Sequence, residues 1–256
     1  MPATTETFEI GAGSDVALLL HGFSGSPFEL RPLAEGLAGA GFRCRVPRLP
    51  HGGDLATLAR TGLADWLAAA HDELDRVVAA ADGRVFLAGF SAGACLALHL
   101  AAERPRDLAA LALLAPALRL RGNARLFRHL FRHRLLARWI PEVGKGAIDV
   151  RDEGMKRNAP YQPRLPTSAA RPLHQLIEGA KEALPRVRTP ALVLWGARDS
   201  VVPRSAVERA ARGIGSGPAR LAVFPQSKHQ LSLDVEREAV AAEVARFFSI
   251  FVRARR

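Results

Sequence analysis

Short apolar runs recur along this chain, separated by longer amphipathic stretches, and that alternation constrains the fold more than any other feature. Residues 16–20, 42–46, 85–90, 108–115, 191–195 and 221–224 read as buried strands. Between them, residues 27–41 open on Pro27 and close on Gly41, the asymmetry of a helix. Residues 61–81 place Leu63, Trp66, Leu67, Leu74, Val77 and Val78 at helical spacing. Residues 92–103, 204–211 and 235–252 read as further helices. Such alternation predicts the α/β class, with a mostly parallel central sheet and helices on both of its faces. At 256 residues and 48% hydrophobic content, the chain suffices for one such core. No run reaches the roughly 18 apolar residues a membrane span needs. Residues 1–10 carry Glu6 and Glu9 where a secretory leader would be basic and then apolar, and two cysteines make no disulfide framework. The expected location is cytoplasmic.

One stretch breaks the rhythm. About 75 residues separate the strand ending near Ala115 from the one starting near Ala191, far beyond an ordinary crossover. The expected division is therefore a core of residues 1–116 and 186–256 with a small helical cap, 117–185, inserted between. In the cap, Leu126, Phe127, Leu130 and Phe131 are expected to share one helical face, with Arg125, Arg128, His129 and Arg132 on the other. The pattern slips at Arg134, which predicts two short helices. Phe127, Leu130 and Phe131 are the candidate substrate-binding residues, roofing an apolar channel.

The chemistry concentrates at strand ends. Gly89-Phe90-Ser91-Ala92-Gly93 lies where a strand gives way to a helix, so Ser91 occupies a tight turn that thrusts its hydroxyl above the sheet. Such a turn crowds the positions two before and two after, and both are glycine. A serine needs a base to take its proton. Asp199 follows one predicted strand and His229 follows the next, giving the order Ser, acid, His. Each stands just past a strand's carboxyl end, where ligands meet open α/β sheets. The candidate catalytic residues are therefore Ser91, Asp199 and His229. The backbone N–H groups of Phe23 and Ala92 are the candidate oxyanion donors, from the loop after the first strand and from the residue after the serine. His21 is expected to orient that loop, and His51-Gly52-Gly53-Asp54 to form a turn near the same edge. His71, His99, His129, His133 and His174 fall on helical stretches without strand-end context. No metal-ligand spacing and no phosphate-binding glycine loop occurs, so neither metal nor cofactor is expected.

Together these residues resemble the α/β-hydrolase superfamily, and within it bacterial carboxylesterases and monoacylglycerol lipases with a small cap. The likeness covers nearly the whole chain. It is carried by the segments 21–27 (HGFSGSP), 48–52 (RLPHG), Asp65-Trp66, 89–93 (GFSAG), 196–203 (GARDSVVP) and 227–229 (SKH). The resemblance implies cofactor-free hydrolysis of an ester with an apolar acyl chain through an acyl-enzyme. A thioesterase, acyltransferase or amidase would use the same triad, because only leaving group and acceptor differ.

Net charge is +11, and residues 119–157 hold 11 basic against 4 acidic side chains. A reading of another class follows, a non-catalytic basic module on anionic lipid surfaces. Aromatic residues make up only 6% and no basic stretch interleaves with stacking residues, so nucleic acid is not an expected partner. At most weak contact with an anionic membrane surface is expected, and the sequence leaves the oligomeric state open.

Overall fold

The computed structural model describes residues 5–215, 217 and 219–252. The chain enters through β1 (Phe8–Ile10) and β2 (Val16–Leu20), then α1 (Arg31–Gly39) and β3 (Arg43–Val46). Two helices, α2 (Leu55–Arg60) and α3 (Leu63–Ala80), lead to β4 (Val85–Phe90), α4 (Ala92–Glu103) and β5 (Ala110–Leu114). The long excursion holds α5 (Gly122–Phe131), α6 (Arg134–Trp139), β6 (Glu142–Gly144), α7 (Glu153–Asn158), β7 (Arg164–Pro166) and α8 (Ala170–Ala183). The chain ends with β8 (Ala191–Gly196), α9 (Arg204–Gly213), β9 (Arg220–Phe224) and α10 (Arg237–Ser249).

Among the described residues, seven strands form one sheet in the order β1-β3-β2-β4-β5-β8-β9. All neighbours run parallel except β1, which pairs antiparallel with β3 through Phe8↔Val46 and Ile10↔Cys44. The alternation of side chains along each strand builds two cores. Leu18, Leu20 and Leu87 face Trp66, Leu74 and Val77 of α3 together with α4 and α8. Ala17, Leu19, Phe86 and Ala88 face Leu33 and Leu37 of α1 and Val240, Val244 and Phe248 of α10. Phe42, Phe86 and Phe248 lock the second core, with ring centroids 4.8–6.0 Å apart. Burying both faces is what a parallel sheet requires.

Local departures from the expected elements have physical causes. Residues 27–30 form a 3-10 turn before α1 begins at Arg31, so the first helix is split. α2 was not expected, although Asp54 caps it by accepting from the Thr57 amide at 2.8 Å. β9 starts one residue early, at Arg220, and is half exposed because it forms a sheet edge. In the excursion β6 and β7 pair with each other and not with the main sheet. The break at Arg134 separates α5 from α6 as expected.

The apolar face assigned to α5 needs correction. Phe127 and Phe131 are buried, but Leu126 and Leu130 are 55% and 42% exposed, while Arg128 is only 7% exposed. Arg128 donates to Glu178 Oε1 at 2.9 Å and to His174 Nδ1 at 2.8 Å, both on α8. The buried stripe therefore runs through Phe127, Arg128 and Phe131, with a paired arginine taking the place expected for Leu130.

Candidate active site

At the end of β4 the backbone turns so sharply that Ser91 adopts φ +54°. Few side-chain-bearing residues tolerate this left-handed region, and the surrounding structure must hold it there. The Ser91 amide donates to the Leu114 carbonyl at 2.9 Å, which ties the turn to β5. A Cβ on Gly93 would lie 2.1 Å from the Leu20 carbonyl oxygen, and one on Gly89 2.3 Å from that of Gly93. Both glycines are therefore steric requirements of the turn. Ser91 is the first residue before α4, so its hydroxyl stands at that helix's amino end.

The Ser91 hydroxyl lies 3.0 Å from His229 Nε2, and His229 Nδ1 lies 2.8 Å from Asp199 Oδ2. Asp199 Oδ1 accepts from the Val201 and Val202 amides, each at 2.7 Å, so the carboxylate is fixed on both oxygens. With Nδ1–H donating to Asp199, the imidazole presents a bare Nε2 to the serine. Burial opposes a charge on His229, but Asp199, Asp149 and Glu29 outweigh it, and its pKa lies above the ordinary histidine value. Three loops, after β4, β8 and β9, thus bring Ser91, Asp199 and His229 into one hydrogen-bonded chain. Cys95, one helical turn on, is buried with its thiol pushed up to about 12, so it is no thiolate.

Phe23 and Ala92 both border the cavity above Ser91. Among the described residues neither backbone N–H has an acceptor, which leaves both donors available to an oxyanion. The loop holding Phe23 is set from below. The Leu49 amide donates to His21 Nε2 at 3.0 Å, so the His21 proton is on Nδ1, directed at the Gly22 carbonyl. His51 stacks on His21 with centroids 4.7 Å apart and donates from Nε2 to the His21 carbonyl at 2.9 Å. Burial above all pulls His21 down to about 3 and His51 down to about 4, so both rings are neutral. Residues 48–53 therefore form more than a turn. They clamp the 21–25 loop, also through Ser24 N to His51 O at 2.8 Å.

The cavity measures about 470 Å³. Phe23, Leu120, Ala124, Phe127, Leu165 and Leu173 give it an apolar side. Of the three substrate-binding candidates only Phe127 borders it. Phe131 borders a separate cleft with Arg60 and Arg171, and Leu130 faces solvent. Sequence reasoning missed Lys145, which reaches into the cavity and donates to Ser24 Oγ at 2.7 Å. It also missed Glu29, which accepts from the Gly22 amide at 2.9 Å. Burial raises the Glu29 pKa against the opposing pull of Lys145. Lys145 in the excursion and Glu29 on a short turn lie in no local pattern that would single them out.

A parallel sheet whose strand-end loops join serine, histidine and aspartate in series, beside an apolar cavity, defines a serine hydrolase of the α/β-hydrolase fold. The pattern of the family described as Serine aminopeptidase, S33, matches residues 14–236, and the chain belongs to that family. It is 29% identical over 252 residues to the thermostable monoacylglycerol lipase of Bacillus sp. (strain H-257), covering 95% of this chain and 94% of that one. It is 21% identical over 245 residues to a carboxylesterase of Bacillus subtilis (strain 168), covering 95% and 96%. A solved structure from work on the metagenome-derived lipolytic enzymes LipS and LipT superposes with a TM-score of 0.87 at 30% identity, over 96% of this chain and 98% of that one.

Proposed function

We propose that this protein hydrolyses carboxylic esters with an apolar acyl chain, of the monoacylglycerol or simple carboxylester type. The observation that carries the reading is the chain from Ser91 through His229 to Asp199 at the foot of a cavity with one apolar wall. Ser91 Oγ attacks the ester carbonyl carbon while His229 Nε2 takes the hydroxyl proton. The carbonyl oxygen becomes an oxyanion held by the N–H groups of Phe23 and Ala92. Asp199 holds the imidazole in orientation and favours its cation. Collapse breaks the bond to the alcohol, which leaves with the proton from His229. Water then attacks the acyl-enzyme with the same base, and the carboxylic acid departs.

The relatives named monoacylglycerol lipase and carboxylesterase support the ester as substrate. Residues 117–185 act in this reading as the cap, with Phe127 and Leu165 directed to the acyl chain. Ser91→Ala, folded as the wild type, is expected to lose about 10⁴-fold or more in kcat on p-nitrophenyl esters of graded chain length. Retained turnover would end the proposal. A wild type that cleaves p-nitroanilides or thioesters faster than matched oxygen esters would move the reading to an amidase or thioesterase.

A further inference from the structure

Asp149 lies in the excursion, outside the Ser–His–Asp chain, yet its carboxylate touches two of the loops that build it. Oδ2 accepts from the Ser200 amide at 3.0 Å and from the His229 amide at 3.2 Å. Ser200 directly follows Asp199. One oxygen atom therefore bridges the loop of the acid and the loop of the base. The Asp149 carbonyl also accepts from the Gln230 amide at 3.2 Å.

The neighbouring residues continue the seam. Asp234 Oδ1 accepts from the Arg151 and Asp152 amides at 2.7 and 3.1 Å, and its Oδ2 from the Lys228 amide at 2.7 Å. Arg237 Nη1 donates to Asp152 Oδ2 at 2.6 Å. Residues 149–152 are thus laced to the His229 loop on both sides of the histidine. The chain just before them, Lys145 to Ile148, walls the cavity.

We propose that Asp149 is a positioning residue for the Asp199–His229 pair, holding the two loops in register from the excursion and adding a negative charge beside the imidazole. The inference rests on the triad reading above and adds a fourth side chain to it. The loops follow neighbouring strands, β8 and the edge strand β9, and beyond the sheet the Arg198 amide donates to the Ser227 carbonyl at 3.1 Å, so Asp149 adds a second tie, at His229 itself. A displacement of about 1 Å at reacting atoms costs on the order of 100-fold in rate. Support for a catalytic group by a hydrogen-bonded neighbour limits such displacement.

The charged surroundings of His229 fix the sign of the pH effect. Asp199 faces it from the loop after β8, Asp149 from the excursion and Glu29 from the turn before α1. Lys145 opposes Glu29 within the same cavity, and Lys228 in the histidine's own loop lies 3.7 Å from Asp149 Oδ1. Removing the Asp149 charge therefore disfavours the imidazolium. Because the base must be neutral to accept a proton, the acidic limb of kcat/KM then moves to lower pH.

The test is the pH dependence of kcat and KM for the wild type, Asp149→Ala and Asp149→Asn on one p-nitrophenyl ester. Asp149→Ala is expected to lower kcat about 10- to 100-fold with KM within about twofold. Asp149→Asn keeps an acceptor oxygen for the two amides, so it restores most of kcat, while its acidic limb lies below that of the wild type. Should Asp149→Ala fail to fold, the limb of Asp149→Asn alone decides. Wild-type kcat and an unmoved limb in the variants would overturn the proposal. So would an Asp149→Asn variant as slow as Asp149→Ala with an unmoved limb. Labelling of wild-type Ser91 by a fluorophosphonate checks the triad reading separately, so the two failures are distinguishable.

Discussion

Ser91 is held in a left-handed turn that its own side chain disfavours; the Leu114 carbonyl anchors its amide, and Gly89 and Gly93 leave room for the close backbone around it. The pentapeptide around it was legible because only glycine fits at Gly89 and Gly93. Asp199 and His229 were legible for a different reason, their places just after apolar strands. Lys145, Glu29 and Asp149 were not, since each gains its meaning from partners far away in the chain. The paired histidines beneath the Phe23 loop carry a consequence for stability. His21 at about 3 and His51 at about 4 both lie below the ordinary 6.5, so the unfolded chain binds more protons than the folded one in that window. Their contribution is complete above pH 6.5 and is lost as pH falls toward 4. Each is expected to cost on the order of 2–3 kcal/mol by pH 4.5. Urea unfolding at pH 7 and pH 4.5 measures this, and stability that holds or rises on acidification would refute it.

At the scale of elements, the strand–helix alternation foretold the core well because period-2 and period-3.6 patterns each report burial directly. α5 shows where that inference fails. Its apolar residues alone suggest a face through Leu126 and Leu130, but both are exposed, and Arg128 is instead buried and paired with Glu178 on α8, 50 positions away. β1 escaped notice because three residues paired to a strand edge leave no periodic trace. The orientation of α5 separates two side chains that composition treats alike. Phe127→Ala is expected to enlarge the cavity and raise KM for longer acyl esters, moving the preferred chain length. Leu130→Ala is expected to match the wild type across the series. Steady-state kinetics on p-nitrophenyl acetate through decanoate tells the two apart, and equal effects at both positions would contradict this placement of the helix.

Across the whole molecule, two cores clamp the sheet and leave its strand-end edge as the place where distant loops meet. No helix among the described residues is long and apolar enough to cross a membrane. Residues 119–157 carry 11 basic against 4 acidic side chains. Contact with an anionic lipid surface is therefore expected to be weak and electrostatic, and to vanish as salt rises from about 0.05 to 0.5 M. Co-sedimentation with anionic vesicles that persists unchanged over that range would contradict it.

The most direct measurement is mass spectrometry of the protein after reaction with a fluorophosphonate, which captures an activated serine hydroxyl. The arrangement of Ser91, His229 and Asp199 calls for one adduct, on Ser91, absent from His229→Ala under the same exposure. An adduct on another residue, or equal labelling of Ser91 without the histidine, would show that the hydroxyl is not activated as the geometry requires.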